Sequence, residues 1–374
     1  MKIIEVSTTN NKTRYYLADE TGAPVEPVLQ YLKFKDNAGY ARNTLRMHCI
    51  HLKHYFLFLK EGNKDYIQVT VDDLARFIGW LKNPDIGKKI IPLRLEPVRK
   101  AQTINANIDT VIAFYDYLML HEGMENHLSE RLTKFIQNPT RNYRSFLRGI
   151  APSKPVKSHM LKMSVPKQVV KTIEKKDAEI LLKTCTNVRD YFLLYLLFET
   201  GMRIGEALSL WLEDFDISDC LIEIKDRGEM ENLAEIKTVH SPRKLNCTRQ
   251  LIDLFSEYIC IYHNAEVKTN HVFVKLGGKY KGEAMNYSDV DNVFRVLRKK
   301  TGIYITPHMF RHTSLSLLYS AGWEPELLKE RAGHKNIYTT LNTYVHSSDE
   351  EIAEAFHKAS ENLKLSEMGK AGDQ

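Results

Sequence analysis

The stretch 305–346 carries the side chains of this chain that are best suited to chemistry. His308 and Arg311 are three residues apart, a spacing that places both side chains on one face of a helix. A guanidinium binds a phosphate through two parallel hydrogen bonds, and an imidazole donates a further hydrogen bond or moves a proton. His334 and Tyr344 follow in the same stretch. A tyrosine hydroxyl beside a bound phosphate is a candidate nucleophile toward phosphorus.

Two earlier segments complete the pattern. The first, ETGMRIGEAL, contains Arg203, and the second, EIKTVHSPRKL, contains Lys237. Taken in chain order with H-x-x-R, Gly-His and the tyrosine, these residues resemble the tyrosine recombinases, also called the phage-integrase family. Each element alone is a weak signal, whereas the ordered set is specific. The resemblance covers residues 174–360, and Ala332, where the family often has leucine, is expected to affect only packing.

The resemblance implies strand cleavage without a divalent metal or a cofactor. Such cleavage needs a nucleophile, cations that meet the charge on the non-bridging oxygens, and an acid for the leaving oxygen. In this family a tyrosine forms a 3′-phosphotyrosine and releases a 5′-hydroxyl. The covalent link keeps the energy of the broken bond, so a partner 5′-hydroxyl can reseal the strand without ATP. The implied roles are phosphate clamping by Arg203 and Arg311, protonation of the leaving oxygen by Lys237, help with the tyrosine proton from His308, a phosphate hydrogen bond from His334, and attack by Tyr344.

Several of these residues have alternative interpretations. Tyr338 lies closer to His334 in the sequence and competes with Tyr344 as the nucleophile. Arg203 could instead form a structural ion pair with Glu206, three residues further on. The neighbouring lysines that compete with Lys237 are Lys225 and Lys244.

The histidines of this set also have other interpretations. They could be core histidines with satisfied hydrogen bonds, while His312 and His346 are interpreted as structural or supporting residues. A zinc site is disfavoured, because no Asp, Glu or Cys at a suitable spacing completes a ligand set with His308, His312 and His334.

Length, composition and cysteine content bound the class of protein. At 374 residues, with 43% hydrophobic and 10% aromatic residues, the chain predicts two folded domains. No apolar run is long enough to span a bilayer and the sequence opens on no signal peptide, so we expect a cytoplasmic protein without a membrane partner. The five cysteines are scattered without metal-ligand spacing, and we interpret them as reduced packing residues.

The net charge of +6 is a weak indicator of a nucleic-acid partner, but the distribution of charge is more informative. Residues 134–171 contain nine Lys or Arg residues and no acidic residue. Because each neutralised phosphate releases counterions, such a segment favours duplex DNA at low salt; the alternative is a solvated linker without a partner. The predicted DNA-binding residues are Arg42, Arg46, Lys88, Lys89, Arg99, Lys100, Asn105, Arg141, Arg144, Arg148, Lys154 and Lys157.

Apolar periodicity predicts a mainly α fold with a small antiparallel β-sheet in the catalytic domain. Residues 1–23 form an N-terminal segment, a β-hairpin that either packs on the next domain or acts as a DNA-binding arm. Residues 24–139 are expected to form a helical domain, which by resemblance is the core-DNA-binding domain, and 140–173 a basic, proline-containing linker. By the resemblance given above, residues 174–347 are expected to form the tyrosine recombinase catalytic domain. The tail, 348–374, begins with a capping box and continues as an amphipathic helix.

Individual elements follow from the same patterns. Thr70 is a favourable N-cap for a helix, and the strongly apolar stretch 188–199 predicts a buried one. Strands are expected at 221–225, 234–239 and 243–246, with Lys237 close to a turn.

The predicted function is site-specific DNA recombination by an integrase or transposase of a mobile element. By resemblance, the two domains form a C-shaped clamp around double-stranded DNA, and a homo-tetramer on two DNA sites exchanges strands. The C-terminal helix docks either on a neighbouring protomer or on its own domain. Two alternatives remain: a type IB topoisomerase-like enzyme that nicks and reseals, and a non-enzymatic DNA-binding protein on the same fold.

Overall fold

The structure, a computed structural model, describes residues 1–8, 12–84, 97–121, 133–136, 156–159, 161–166, 171–236, 238, 240–265 and 267–335. The chain divides into two compact units, Met1–Lys167 and Gln168–Gln374. Each unit has its own cluster of buried hydrophobic residues.

An antiparallel hairpin opens the first unit, as the alternating residues predict. Strand β1 (Lys2–Ser7) pairs with β2 (Thr13–Ala18). The side chains of Tyr15 and Leu17 on β2 are buried in the core of this unit. The hairpin therefore packs on the helices that follow it.

Among the described residues of the first unit, four α-helices follow the hairpin: α1 (Glu26–Asn37), α2 (Arg42–Glu61), α3 (Val71–Lys82) and α4 (Ala101–His121). Helices α2 and α4 pack against each other through their apolar faces. Between them the Tyr55 and Tyr115 hydroxyls are 2.6 Å apart, and the Tyr115 hydroxyl donates to Tyr66 O at 2.7 Å. These buried phenols thus satisfy their polar ends inside the core.

Thr70 caps α3, as predicted from the sequence. Its hydroxyl accepts a hydrogen bond from Asp73 N at 3.4 Å, and the Asp73 carboxylate accepts one from Thr70 N at 2.8 Å. Lys64 forms an ion pair with the same carboxylate. This reciprocal arrangement satisfies two of the amide groups that a helix start leaves without intrahelical partners.

A second strand pair lies later in the first unit. Strand β3 (Thr133–Ile136) runs antiparallel to β4 (Val156–His159), with Thr133 opposite His159. Strand β4 falls within the stretch 140–173, for which the sequence predicts a linker.

The described part of the second unit contains seven α-helices: α5 (Lys175–Thr184), α6 (Val188–Thr200), α7 (Ile204–Leu208), α8 (Arg249–Tyr262), α9 (Tyr287–Thr301), α10 (Pro307–Ser320) and α11 (Pro325–Ala332). Helix α6 is the buried helix that its apolar sequence predicts, and it packs against α8 and α10. Across the described ranges, no helix is both long and apolar enough to cross a bilayer.

The second unit also contains a three-stranded antiparallel sheet. Its strands are β5 (Phe215–Asp216), β6 (Leu221–Ile224) and β7 (Arg243–Asn246), in that spatial order. Strands β6 and β7 lie where the sequence predicts them.

The predicted strand at 234–239 is wrong for the part of it that the structure describes. Leu233 has a φ of +61°, which turns the chain before the segment. The Asn232 amide donates to the carbonyl oxygens of Leu208 and Met285, both at 2.9 Å, and accepts from Ala234 N at 3.0 Å. These contacts hold the segment against its neighbours, so it does not pair with β7.

Replacing Thr70 by alanine removes the side-chain cap of α3. Because the loss of such a cap costs about 1 kcal/mol of helix stability, we expect amides in the first turns of α3 to exchange about fivefold faster. Hydrogen–deuterium exchange of peptides covering residues 70–82 measures this effect. Thr70→Ser keeps the hydroxyl and is the matched control; unchanged protection in Thr70→Ala would contradict the role of the cap.

Candidate active site

Arg311 is the buried centre of the candidate site. Pro307 occupies the first position of α10, and the Thr306 hydroxyl caps the helix by accepting from a first-turn amide at 3.3 Å. Arg311 follows one turn later and is only 3% exposed. Its Nη1 donates to Gly201 O at 2.7 Å, and its Nη2 donates to Ala332 O at 2.5 Å. The guanidinium therefore joins the carboxyl ends of α6 and α11.

Arg203 lies at the turn between α6 and α7, because Gly201 ends α6 in the left-handed conformation with φ +64°. Arg203 Nη1 donates to Glu206 Oε1 at 2.8 Å and to Ser241 Oγ at 3.4 Å. Its Nη2 donates to Gly333 O at 3.2 Å. Arg203 and Arg311 thus reach the carbonyl groups of two successive residues, 333 and 332, at the end of α11.

His334 completes this group. It follows Gly333, which ends α11 with φ +61°, and its Nε2 lies 3.0 Å from Arg311 Nη2. Because a guanidinium only donates, Nε2 accepts this hydrogen bond and the ring is neutral with its proton on Nδ1. The structure therefore brings together three of the predicted catalytic side chains, Arg203, Arg311 and His334, which we call the phosphate cradle.

The surroundings of His334 also favour its neutral form. Burial lowers its pKa, and the charges of Arg311, Arg203 and Arg243 lower it further, to about 4. The neutral ring has one N–H, on Nδ1, that can be donated to an anion.

Two charged residues of the site were not predicted as catalytic from the sequence: Glu206 and Arg243. The Glu206 side chain is completely buried, and its Oε2 accepts from Arg203 N and from Arg243 Nη2, both at 2.9 Å. Burial alone would raise the pKa of this carboxyl, but the charge and hydrogen bonds of Arg243, followed by the charge of Arg311, lower it to about 2. Glu206 is therefore an ionised carboxylate held between guanidiniums.

The ion pair between Arg203 and Glu206, considered above as a structural alternative, is present. It does not exclude a catalytic role for Arg203, because Nη2 of the same side chain reaches Gly333. The sequence feature that could have predicted Glu206 is its position three residues after Arg203, at the start of a helix. Arg243 lies in the same segment as Lys237, EIKTVHSPRKL, and is partly buried on β7.

The remaining predicted catalytic residues are placed as follows. His308 is exposed on α10, and its ring centroid lies 6.3 Å from that of His312. Burial lowers the pKa of His312 to about 4, and the charges of His308 and Arg311 act in the same direction. Lys237, Tyr344 and the competing Tyr338 lie outside the described residues.

Within the residues that are described, no three His, Cys, Asp or Glu side chains form a group able to hold a metal ion.

The predicted DNA-binding residues occupy different environments. Arg46 and Lys100 are exposed, whereas Arg42 is 6% exposed. Arg99 donates to Leu81 O at 3.0 Å and lies over the Trp80 ring. As a DNA ligand, Arg42 would have to leave its buried position, whereas Arg99 is only partly buried.

The Asn105 amide is already engaged, since it donates to Met163 O and accepts from Met163 N, both at 2.9 Å. Lys157 lies on β4. Six predicted DNA-binding residues lie outside the described residues: Lys88, Lys89, Arg141, Arg144, Arg148 and Lys154. Contact of any of the twelve predicted residues with DNA stays a prediction.

Two family models match this chain. Residues 171–351 match the phage integrase family, and residues 29–122 match the phage integrase N-terminal SAM-like domain. The chain belongs to the phage integrase family, the tyrosine recombinases, as the ordered motif predicted.

Transposase A from transposon Tn554 of Staphylococcus aureus is 32% identical over 361 residues, which cover 96% of this chain and 98% of the transposase. A tyrosine recombinase of Agathobacter rectalis is 24% identical over 323 residues, covering 81% of this chain and 93% of that relative.

Solved structures of recombinases confirm the predicted fold class, a mainly helical two-domain chain with small antiparallel sheets. The Tn1549 transposon integrase, in complex with a circular intermediate DNA, matches with a TM-score of 0.61 and 17% identity, covering 89% of this chain and 99% of the integrase. The XerH site-specific recombinase bound to difH substrate matches with a TM-score of 0.58 and 16% identity, covering 89% of this chain and 84% of XerH.

The lowered pKa of His334 predicts a pH dependence of stability. Its pKa is 6.5 in the unfolded chain and about 4 in the folded one, so between these values the unfolded chain binds more protons. This group therefore destabilises the fold as the pH falls from about 6.5 to about 4. We expect the melting temperature to fall less between about pH 7 and pH 5 in His334→Gln than in the unmodified protein.

Glutamine retains an amide oxygen that can accept from Arg311, which makes it a suitable replacement in this experiment. The control is His121→Gln, since His121 is an exposed residue at the end of α4. An equal fall of melting temperature in His334→Gln and the unmodified protein would show that His334 is not held neutral.

Proposed function

We propose that this protein cuts and rejoins duplex DNA at specific sites of a mobile genetic element, through a 3′-phosphotyrosine formed on Tyr344. The observation that carries the proposal is the phosphate cradle. Three side chains that lie far apart in the sequence meet at the end of α11, with Arg311 Nη2 3.0 Å from His334 Nε2 and Arg203 Nη2 3.2 Å from Gly333 O.

The cradle is suited to a scissile phosphate for two physical reasons. The guanidinium fork matches phosphate oxygens and keeps its charge at any physiological pH. Arg311 is also buried and fixed by two carbonyl groups, and a preorganised donor needs little reorganisation when charge develops on a non-bridging oxygen. Arg203 and Arg311 would hold the two non-bridging oxygens, while neutral His334 donates a further hydrogen bond.

The proposed reaction is a transesterification at phosphorus. The Tyr344 oxygen forms a bond to phosphorus as the bond from phosphorus to the 5′ oxygen breaks. Lys237 gives its proton to the leaving 5′ oxygen, and His308 assists the departure of the tyrosine proton. Attack of a 5′-hydroxyl from a partner strand reverses these bond changes, so the energy of the original phosphodiester is conserved.

The relatives support the same function. One is a transposase of a transposon, and solved structures of similar fold include a transposon integrase in complex with DNA. We propose that four copies of this chain assemble on two DNA sites and act in the cytoplasm, where these sites are accessible. These relatives favour a recombinase over a nick-and-reseal enzyme or a protein that only binds DNA.

Replacing Tyr344 by phenylalanine removes the proposed nucleophile. We expect Tyr344→Phe to form no covalent adduct on a nicked suicide substrate, while duplex binding is retained, because only the reacting oxygen is lost. Denaturing gel electrophoresis of the protein–DNA adduct measures this. Tyr338→Phe is the matched control and should form the adduct normally. Adduct formation by Tyr344→Phe together with its loss in Tyr338→Phe would identify Tyr338 as the nucleophile instead.

Chelation of divalent metals should leave cleavage intact, because the guanidinium pair supplies the positive charge that a metal would otherwise provide. The rate of adduct formation is measured with and without excess EDTA. Loss of cleavage on chelation would contradict the proposed reaction.

A separate experiment uses DNA that carries two intact sites. Formation of recombinant product from these two sites distinguishes strand exchange from simple nicking and resealing.

A further inference from the structure

We propose that Arg243 is a positioning residue for the phosphate cradle. It donates hydrogen bonds both to Glu206 and to the end of α11. In this way it fixes the positions of Arg203 and His334 and keeps the positive charge of Arg203 available to a phosphate. This inference rests on the proposed function, since it concerns the same site. Arg243 lies within the quoted segment EIKTVHSPRKL, but it is not one of the ordered residues of the family motif and it lies outside the cradle itself.

The first observation is that Arg243 bridges three separate parts of the second unit. Its Nε donates to Arg331 O at 2.7 Å, its Nη1 donates to Ser241 O at 2.6 Å, and its Nη2 donates to Glu206 Oε2 at 2.9 Å. The side chain is only 10% exposed. Arg243 therefore ties β7 to the last turn of α11 and to the start of α7.

The second observation is the sharing of one carboxylate between two guanidiniums. Glu206 Oε1 accepts from Arg203 Nη1 and Glu206 Oε2 accepts from Arg243 Nη2. If Arg243 were absent, Arg203 would have to compensate more of the charge of this buried carboxylate. The charge of Arg203 would then be largely cancelled by Glu206 and less available to a phosphate.

The third observation is close packing at the end of α11. A Cβ placed on Gly333 would lie 2.9 Å from Arg243 Nη1 and 3.0 Å from His240 O. The guanidinium of Arg243 thus lies directly against the backbone that presents His334. A shorter side chain at position 243 would leave this backbone unsupported and the Arg331 carbonyl without its donor.

A lysine cannot reproduce this arrangement. Its single ammonium group restores the charge beside Glu206, but it lacks the planar fork that meets three acceptors from one side chain. Partial rescue by lysine therefore separates the contribution of charge from that of geometry.

The test is single-turnover cleavage of a nicked suicide substrate by the full chain, measured beside duplex affinity. We expect Arg243→Gln to slow adduct formation by roughly ten- to a hundredfold, the range that small misplacements of catalytic groups produce. Duplex affinity should stay within about twofold, because Arg243 does not itself contact the phosphate. Arg243→Lys should lose less, about three- to thirtyfold.

Arg249→Gln is the matched control, since it removes one positive charge from an exposed position on α8. It should cleave as the unmodified protein does. The coupling to Glu206 is tested by comparing Glu206→Gln with the double variant Glu206→Gln/Arg243→Gln. If Arg243 acts through Glu206, Arg243→Gln should slow adduct formation less when Glu206 has already been replaced. The fold-decrease in rate caused by Arg243→Gln should be at least about threefold smaller in the Glu206→Gln background than in the unmodified protein.

The melting temperature of each variant shows whether it is folded. Arg243→Lys keeps a cation beside Glu206 and carries the test if Arg243→Gln unfolds. Cleavage by either folded variant within about twofold of the unmodified rate would overturn the proposal, as would an equal loss in both Glu206 backgrounds. Failure of the proposed function is a separate result: the unmodified protein would then form no covalent adduct at all.

Discussion

One buried carboxylate organises the catalytic unit. Glu206 is fully removed from solvent, and the hydrogen bonds of Arg203 and Arg243 compensate its charge. An uncompensated charge in such a position would cost several kcal/mol, so removing one partner of a buried pair is strongly destabilising, about 3 to 5 kcal/mol. The position of Arg203 is thus set by the requirement to neutralise Glu206 as well as by any requirement of the substrate. Arg243 and Arg203, the second of which we propose as a ligand of the scissile phosphate, therefore share the same carboxylate.

The cradle is built largely from helix ends. Arg311 donates to Gly201 O after α6 and to Ala332 O at the end of α11, and Arg203 donates to Gly333 O. Helix carboxyl ends leave carbonyl groups without intrahelical donors and carry partial negative charge, so buried guanidiniums are well placed there. The short helix α7 and the small sheet then supply Glu206 and Arg243 from other parts of the sequence. The positions of the Arg203 and Arg311 side chains therefore depend on the residues at which α6 and α11 end.

Much of this arrangement could be predicted from the sequence. The ordered residues Arg203, Arg311 and His334 predicted a shared candidate site, Thr70 predicted a helix start, and the apolar run at 188–199 predicted a buried helix. The strand expected at 234–239 could not be excluded in advance, because alternation carries no information on the Asn232 contacts that hold the chain away from β7. Arg243 was missed for a similar reason. Its partners lie in three different segments, and only tertiary structure reveals that one guanidinium serves all of them.

Gly333 combines an unusual backbone conformation with close neighbours. Its φ of +61° favours glycine and, more weakly, asparagine. A Cβ at position 333 would lie 2.9 Å from Arg243 Nη1 and 3.0 Å from His240 O, so asparagine would fit only if these neighbours moved. A smaller residue at position 243 would relieve only the first of these contacts, because the second is made by a backbone oxygen. Glycine is therefore favoured at position 333 whichever side chain occupies position 243.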